Sequence, residues 1–287
     1  MKKIITLVFL AAAMGSYAQP KLITQAIITT KTTIVAPEEE EMTTPPAPPA
    51  PGGGDGGGEM RVMRFLGDGE TKTTTWLKGD IFKTYSETET SRTTIIRDNT
   101  KKVTITIMQM MGKTFGFSAT DEDQENMRKR MDSMMQARNQ NAVQTAPTAP
   151  KVDIVYSEET KKIAGYNCNK AIIITTRSNG RSDSTTVWFT PELKFQGITS
   201  TGGAGGGFGG ISALTQSAAT NAWEQLKGFP MQYERNMPRG RKMTVVVTKI
   251  VTDKAIDDKE FEVPKDVELK SAKDMQGGAG MFQMRRD

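Results

Sequence analysis

The chain has 287 residues, with 38 Lys and Arg against 33 Asp and Glu, no His and a single Cys. Without His there is no Ser-His-Asp triad, Cys-His dyad, HExxH zinc site or histidine-ligated haem. One Cys excludes an intramolecular disulfide, a CxxC redox pair and a Cys-rich zinc centre, so neither a metal nor another cofactor is expected.

Met1-Lys2-Lys3 is followed by an apolar run from Ile4 to Met14, broken only by Thr6, and then by Ser16-Tyr17-Ala18. A basic start, a short apolar stretch and a small-residue end form the pattern of a secretory signal peptide, here with cleavage expected after Ala18. The run is well short of the ~20 residues that span a bilayer. No Cys stands at the cleavage point, so no lipid anchor is expected there, and the mature chain offers no transmembrane run. A periplasmic or secreted protein is the expectation. Loss of Lys2 and Lys3 lowers the net charge from +5 to +3, divided between −4 over residues 19–59 and +7 over residues 60–287. That basicity is scattered among acids. A nucleic-acid partner would need a concentrated stripe with aromatic platforms, so none is expected.

Residues 22–36, LITQAIITTKTTIVA, read as a strand in an N-terminal segment spanning 19–59. The Pro37–Gly58 stretch holds four consecutive Glu, six Pro and GGGDGGG. It cannot bury a core and reads as a flexible tether. From Met60 to residue 272 the text becomes a single β-rich domain. RVMRFL, ETKTTTWLK, IFKTYSETETS, TTIIR and KKVTITIMQMM are short Thr-, Val- and Ile-rich runs parted by turn signals. In the last of them Val103, Ile105 and Ile107 alternate with Thr104 and Thr106, which predicts a sheet with one buried face.

A helix is predicted over 121–138. Thr120 and Asp123 resemble a capping box, and Asp121 and Glu122 suit a helix start. Met127, Met131, Met134 and Met135 fall on one helical face. Three readings stand: an ordinary amphipathic helix packed on the sheet, a pliable lid over an apolar ligand, or a thioether site for copper(I). Residues 139–150 and 198–211 read as flexible insertions. The Gly-rich 202–210 stretch lacks the endings of a phosphate-binding loop. VDIVYSE, KIAGYNCNKAIIITTR, STTVWFT, MTVVVTKIVTD and EFEVP read as strands. A second helix is predicted where Leu214, Ala218, Ala222 and Leu226 recur every four residues, flanked by Trp223 and stopped by Gly228. The tail 273–287 reads as disordered. The sum is eight to ten strands and about two helices: an α+β, mainly β class, with an antiparallel sheet carrying helices on one face.

Three blocks stand out: Ile163-Ala164-Gly165-Tyr166-Asn167-Cys168-Asn169-Lys170-Ala171, then Val187-Trp188-Phe189-Thr190-Pro191-Glu192-Leu193, then Gly228-Phe229-Pro230-Met231. Together they resemble an exported envelope family defined as a domain of unknown function. That family is grouped with the periplasmic lipoprotein-carrier (LolA-like) fold and is sister to a family named for its GLPGLI motif. The third block reads GFP here rather than LPG, which favours the first family. The resemblance spans roughly Met60 to Lys270. It implies a strongly curved antiparallel half-barrel whose concave side is closed by the helices and can hold acyl chains. On that reading Ile105, Ile107, Met127, Met131, Met134, Trp188 and Trp223 are candidates for cavity and lid. Gly165, Tyr166, Cys168, Pro191, Gly228 and Pro230 are fold-defining first: Gly165 marks a bulge or turn, Cys168 is a small buried hydrophobe, Pro191 ends a strand and Pro230 follows a helix.

The leading functional expectation is a monomeric, non-enzymatic binding module for a lipid or lipidated protein, with transient membrane contact. A structural or adhesive envelope protein is the alternative. A hydrolase using a carboxylate pair, such as Asp121 and Asp123 or Glu192 near Trp188, is the third.

Overall fold

The computed structural model describes residues 21–36, 69–138, 151–176, 180–195, 225–237 and 240–271. The signal peptide, the tether, the predicted strand RVMRFL, the 139–150 insertion, the Gly-rich stretch, Trp223, most of the second predicted helix and the tail lie outside the described residues.

In chain order the elements are β1 (Lys21–Ile23), β2 (Gln25–Val35), β3 (Gly69–Lys78), β4 (Ile81–Glu87), β5 (Ser91–Asp98), β6 (Val103–Met110), β7 (Lys113–Thr120), α1 (Asp121–Arg138), β8 (Lys151–Ile163), β9 (Tyr166–Thr176), β10 (Ser182–Thr190), β11 (Leu193–Phe195), β12 (Phe229–Asn236), β13 (Lys242–Val251) and β14 (Leu269–Ser271), with a short 3-10 turn at Asp258–Phe261. Twelve strands form one curved sheet in the order β14-β7-β6-β5-β4-β3-β2-β13-β12-β10-β9-β8, and it does not close into a barrel. β1 and β11 pair separately, in parallel. The remaining pairings are antiparallel except the short β14–β7 contact.

The strand text predicts most of this sheet, with four differences. First, β2 sits between β3 and β13 at the sheet's centre, so the N-terminal strand is built into the domain instead of preceding it. Second, KTFGFSAT and FPMQYERN form β7 and β12, which the alternation signal misses because Gly116 and Pro230 interrupt it. Third, Pro230 lies inside β12 rather than just beyond a helix. It is tolerated at an irregularity, where the register slips between Trp188 and Phe189 and places Phe189 opposite Pro230. Fourth, EFEVP is not a strand. Asp257 caps the 3-10 turn by accepting from the Lys259 N–H, and Pro264 lacks a donor for any ladder. Among the described residues there is one α-helix; Gln225–Gly228, where the second predicted helix would end, is a turn.

Pairing register assigns every strand residue to one of two faces. The first is called the Ile28 face. It carries Ala26, Ile28, Thr30, Thr32 and Ile34 of β2, continued by Leu77, Thr75, Thr73 and Thr71 of β3 and by Val245 and Val247 of β13. The other is the Trp76 face, continued through Lys83 of β4 and Lys31 of β2. The main core gathers Ile28, Leu77, Phe82, Cys168, Phe229 and Met231 with Ile23, Leu193 and Phe195 of the small sheet. A second core packs Ala171, Ile173, Val187, Phe189 and Leu226.

After β13 the chain becomes a strap over the Trp76 face. Gln25 Nε2 donates to the Lys254 carbonyl at 2.8 Å, and Lys78 Nζ to the Ile256 carbonyl at 3.0 Å. Lys83 Nζ is 3.5 Å from Glu260. A Cβ on Gly116 would lie 2.7 Å from Val267 Cγ1, so the strap rests directly on β7 there. From Lys83 on β4 to Gly116 on β7 it crosses β5 and β6, above Ile96, Ile105 and Ile107.

Candidate functional site

The helix starts where β7 ends. Thr120 N–H donates to Asp123 Oδ2 at 3.0 Å and Asp123 N–H to Thr120 Oγ1 at 3.1 Å, so the capping box closes with Asp in place of Glu. Arg97, buried in β5, anchors the first turn. Its Nη1 and Nη2 donate to both oxygens of Asp121 at 2.5 and 3.0 Å, its Nε to Asn99 Oδ1, and Nη1 also to Thr104 Oγ1. The guanidinium beside Asp121 holds that carboxyl below its ordinary value. Gln124 Nε2 adds a bond to Thr104 Oγ1 at 3.1 Å.

These anchors decide which face the helix serves. Arg97 pairs in register with Phe82 and Thr104, all on the Ile28 face. Ile105 and Ile107 lie on the Trp76 face, opposite Ser118 and Gly116 and under the strap. They therefore do not line a cavity with the helix, contrary to the sequence expectation. The residues on the helix's side of β6 and β7 are the alternate set: Thr104, Thr106 and Met108 with Ala119, Phe117 and Phe115. Of the helical methionines, Met127 is 44% exposed; the side chains of Met131 and Met134 lie outside the described residues. Phe115 is 43% exposed.

Towards β2 the Ile28 face turns to hydroxyls. Thr73 and Ser86 share a hydrogen bond at 3.0 Å, and Thr75 and Thr84 one at 3.3 Å. Thr30 and Thr32 are buried, and their hydroxyl oxygens have no hydrogen-bond partner.

The three sequence blocks converge on neighbouring strands. Ala164 and Gly165 both have positive φ, 49° and 90°, as a two-residue type I′ hairpin between β8 and β9 requires. Tyr166 and Cys168 follow on β9, next to β10 with Trp188 and Phe189, next to β12 with Phe229 and Pro230. Pro191 and Glu192 turn β10 into β11, and Glu192 Oε1 accepts from the Asn167 N–H at 3.2 Å. Gly228 has no room for a side chain: a Cβ would stand 2.4 Å from the Thr190 carbonyl oxygen. Cys168 is fully buried, and burial pushes its thiol up to about 11. Phe189 is buried on the Ile28 face in edge contact with Tyr156, ring centres 5.7 Å apart. Trp188 is half-buried on the Trp76 face, again opposite to the helix.

Trp188 centres a polar cluster. Lys161 Nζ lies 4.1 Å from the indole centre and donates to Gln232 Oε1 at 2.8 Å. Lys170 Nζ lies 5.9 Å from the same ring and pairs with Glu159. Gln232 Nε2 donates to Glu234, whose other oxygen pairs with Lys242 at 2.7 Å. Desolvation lowers the Lys161 pKa, with Glu234 opposing, and the hydrogen bond from Lys242 lowers that of Glu234.

The carboxylates singled out for acid–base chemistry thus hold structure: Asp121 binds Arg97, Asp123 caps the helix and Glu192 fastens a turn. Among the described residues no three Cys, Asp or Glu gather as a metal site would need, and no helix is long and apolar enough to cross a membrane.

Residues 83–209, less than half of the chain, match the family model of the N-glycanase peptide, N-terminal domain. No curated protein matches. Among solved structures the chain is similar to PNGF-II in two crystal forms, at 13% and 15% identity with TM-scores of 0.35 and 0.36. Each match covers 88% of this chain, which spans only about a third of the PNGF-II chain, 33% and 32%. A domain of an outer membrane lipoprotein-sorting protein from Vibrio parahaemolyticus is a weaker neighbour, at 7% identity and a TM-score of 0.17, covering 83% of this chain and 89% of that one.

Proposed function

We propose that the chain is an exported, non-catalytic binding module that takes an apolar ligand, a lipid or the acyl group of a lipidated protein, on the side of the sheet that carries α1. The observation behind this reading is the exposure of Phe115 and Met127, large apolar side chains on β7 and on the helix that β7 leads into. Contiguous exposed apolar surface marks a place where something docks, and this reading takes Phe115 and Met127 as parts of one such surface. Met127 offers an adaptable thioether and Phe115 a flat face, a pairing suited to a flexible chain more than to a rigid ligand. The match to a domain set N-terminal in an N-glycanase supports an accessory binding role; the glycanase activity is a property of those proteins. The polar commitments of Asp121, Asp123 and Glu192 support a chain without hydrolytic chemistry of its own.

Native mass spectrometry of protein purified from its own envelope tests the proposal. Copurifying lipid is expected, together with uptake of a fluorescent fatty acid that falls in Phe115→Ser and Met127→Asp while the unfolding midpoint stays put. An empty protein that takes up no fatty acid would end this reading and favour a structural envelope role.

A further inference from the structure

The Trp76 face carries a second pattern, independent of the helix. Lys72 on β3 stands directly opposite Lys31 on β2. Lys31 stands opposite Val246 on β13, Val246 opposite Gln232 on β12, Gln232 opposite Trp188 on β10, and Trp188 opposite Lys170 on β9. Six residues from six adjacent strands therefore make one straight row, about 24 Å long at ~4.8 Å per strand. Lys161 reaches into its far end over the Trp188 ring.

At the β2–β3 end the charges of this row are arranged against stability. Like charges directly opposite each other weaken a strand pair. Yet Lys31 faces Lys72 at one end; at the other, Lys161 and Lys170 crowd one indole, whose ring attracts both. Glu70 offsets Lys31, Glu159 offsets Lys170, and Glu234 is committed to Lys242. Among the described residues neither Lys72 nor Lys161 has a carboxylate within ion-pair distance. Glu87, opposite Lys72 on β4, is taken by Arg92, and Glu234, which acts on Lys161, by Lys242, so each end keeps one ammonium outside an ion pair. Between them lie a half-buried Val, an amide and an indole, with no acid in the row. The opposed Lys31 and Lys72 cost stability and are nevertheless present, and two more ammoniums gather at the other end, which points to a role outside folding.

We propose that this row binds an anionic polysaccharide chain lying across the strands, its acidic groups on the two lysine pairs and its sugar rings over Gln232 and Trp188. The spacing favours an extended polyanion over a single small anion, since one small anion reaches only one end. The indole and amide suit the C–H faces and hydroxyls of sugars. A membrane surface would instead call for exposed apolar side chains to insert between lipids, and the uncharged members of the row are half-buried.

The test is binding of alginate and polygalacturonate at low and moderate salt, beside neutral dextran, single-stranded DNA and phosphatidylglycerol vesicles. Alginate or polygalacturonate should bind with a salt-dependent affinity and dextran should not. Lys72→Gln with Lys161→Gln should weaken binding about tenfold. Lys72→Arg should retain it, and Lys194→Gln, the same charge loss on β11, should leave it unchanged. Because Lys72→Gln removes the opposition to Lys31 together with the attraction to Glu87, its unfolding midpoint should hold, which separates loss of binding from loss of fold. Equal or tighter binding of DNA or of vesicles would overturn the proposal. So would a double variant that binds as tightly as the unaltered chain.

Discussion

Two threonines on adjacent strands should respond to the same substitution with opposite sign. Thr32 and Thr73 both lie on the Ile28 face and are both about 99% buried, at 1% exposure each. Thr73 shares a hydrogen bond with Ser86, whereas the Thr32 hydroxyl has no partner. Burying a hydroxyl without a partner costs about 1–3 kcal/mol. Valine keeps the shape and the strand preference, so Thr32→Val should raise stability by about 1 kcal/mol, or some 2–4 °C in a domain of this size. Thr73→Val removes a satisfied donor–acceptor pair and strands the Ser86 hydroxyl, so it should lower stability by about 1 kcal/mol. Urea unfolding followed by circular dichroism reads both, with an unchanged slope showing that only stability has moved. If Thr32→Val destabilises, or both variants shift the midpoint the same way, the assignment of the orphaned hydroxyl is wrong.

Gly228→Ala should cost about 1–3 kcal/mol, because its Cβ would stand 2.4 Å from a backbone oxygen that cannot rotate aside; an unchanged melting temperature would show that β12 can yield there. Asp121 is held low by Arg97, so its contribution is present above the ordinary carboxylate pKa and is lost as pH falls through the depressed folded value. Asp121→Asn should therefore flatten the acid limb of the stability curve, measured by thermal melts from pH 2 to 7. Cys168, fully buried with its thiol pushed up to about 11, should resist iodoacetamide at pH 8 until the chain unfolds; native labelling within minutes would contradict the burial.

What the sequence made legible follows from how local each signal is. Alternation in Val103–Ile107 and the Thr120/Asp123 cap are decided within a few residues, and the structure has them where the text predicts; KIAGYNCNKAIIITTR, read as one strand, is instead split by a hairpin at Ala164-Gly165, with Lys162 and Ile163 ending β8. The blocks around Cys168, Trp188 and Phe229 are also legible, because Gly165 needs a positive φ and Gly228 has no room for a Cβ. Long-range pairing is not local. Nothing in LITQAIITTKTTIVA tells that its partners are residues 69–78 and 242–251, so the N-terminal strand reads as a separate segment although it lies in mid-sheet. β12 escaped because a Pro inside a strand argues against one, and only the irregularity opposite Phe189 accommodates it. The lysine row is invisible for the same reason: its members are up to 215 residues apart, from Lys31 to Val246, and meet through register alone.

The misplaced cavity has a more specific cause. Period-two patterning sorts β6 into an aliphatic set and a hydroxyl set correctly, and the natural inference is that the helix covers the aliphatic one. A sheet has two faces, however, and each can be covered by a different part of the chain. Here the strap from Lys254 to Leu269 runs over the aliphatic face between Lys83 and Gly116, where Ile96 and Ile107 are buried, and Gly116 is the residue that lets it lie flat. With the aliphatic set occupied, the helix goes to the other face, and it is drawn there by polar residues: Arg97 for Asp121, and Thr104 for both Arg97 and Gln124. Hydrophobic pattern thus predicts that a face is covered, while the covering element is selected by a few charged and amide groups whose partners lie 20 or more residues away. Any apolar ligand held beneath the helix must therefore meet Met108, Phe115 and Phe117 with threonine hydroxyls beside them, a more amphipathic wall than an Ile-lined cavity would have been.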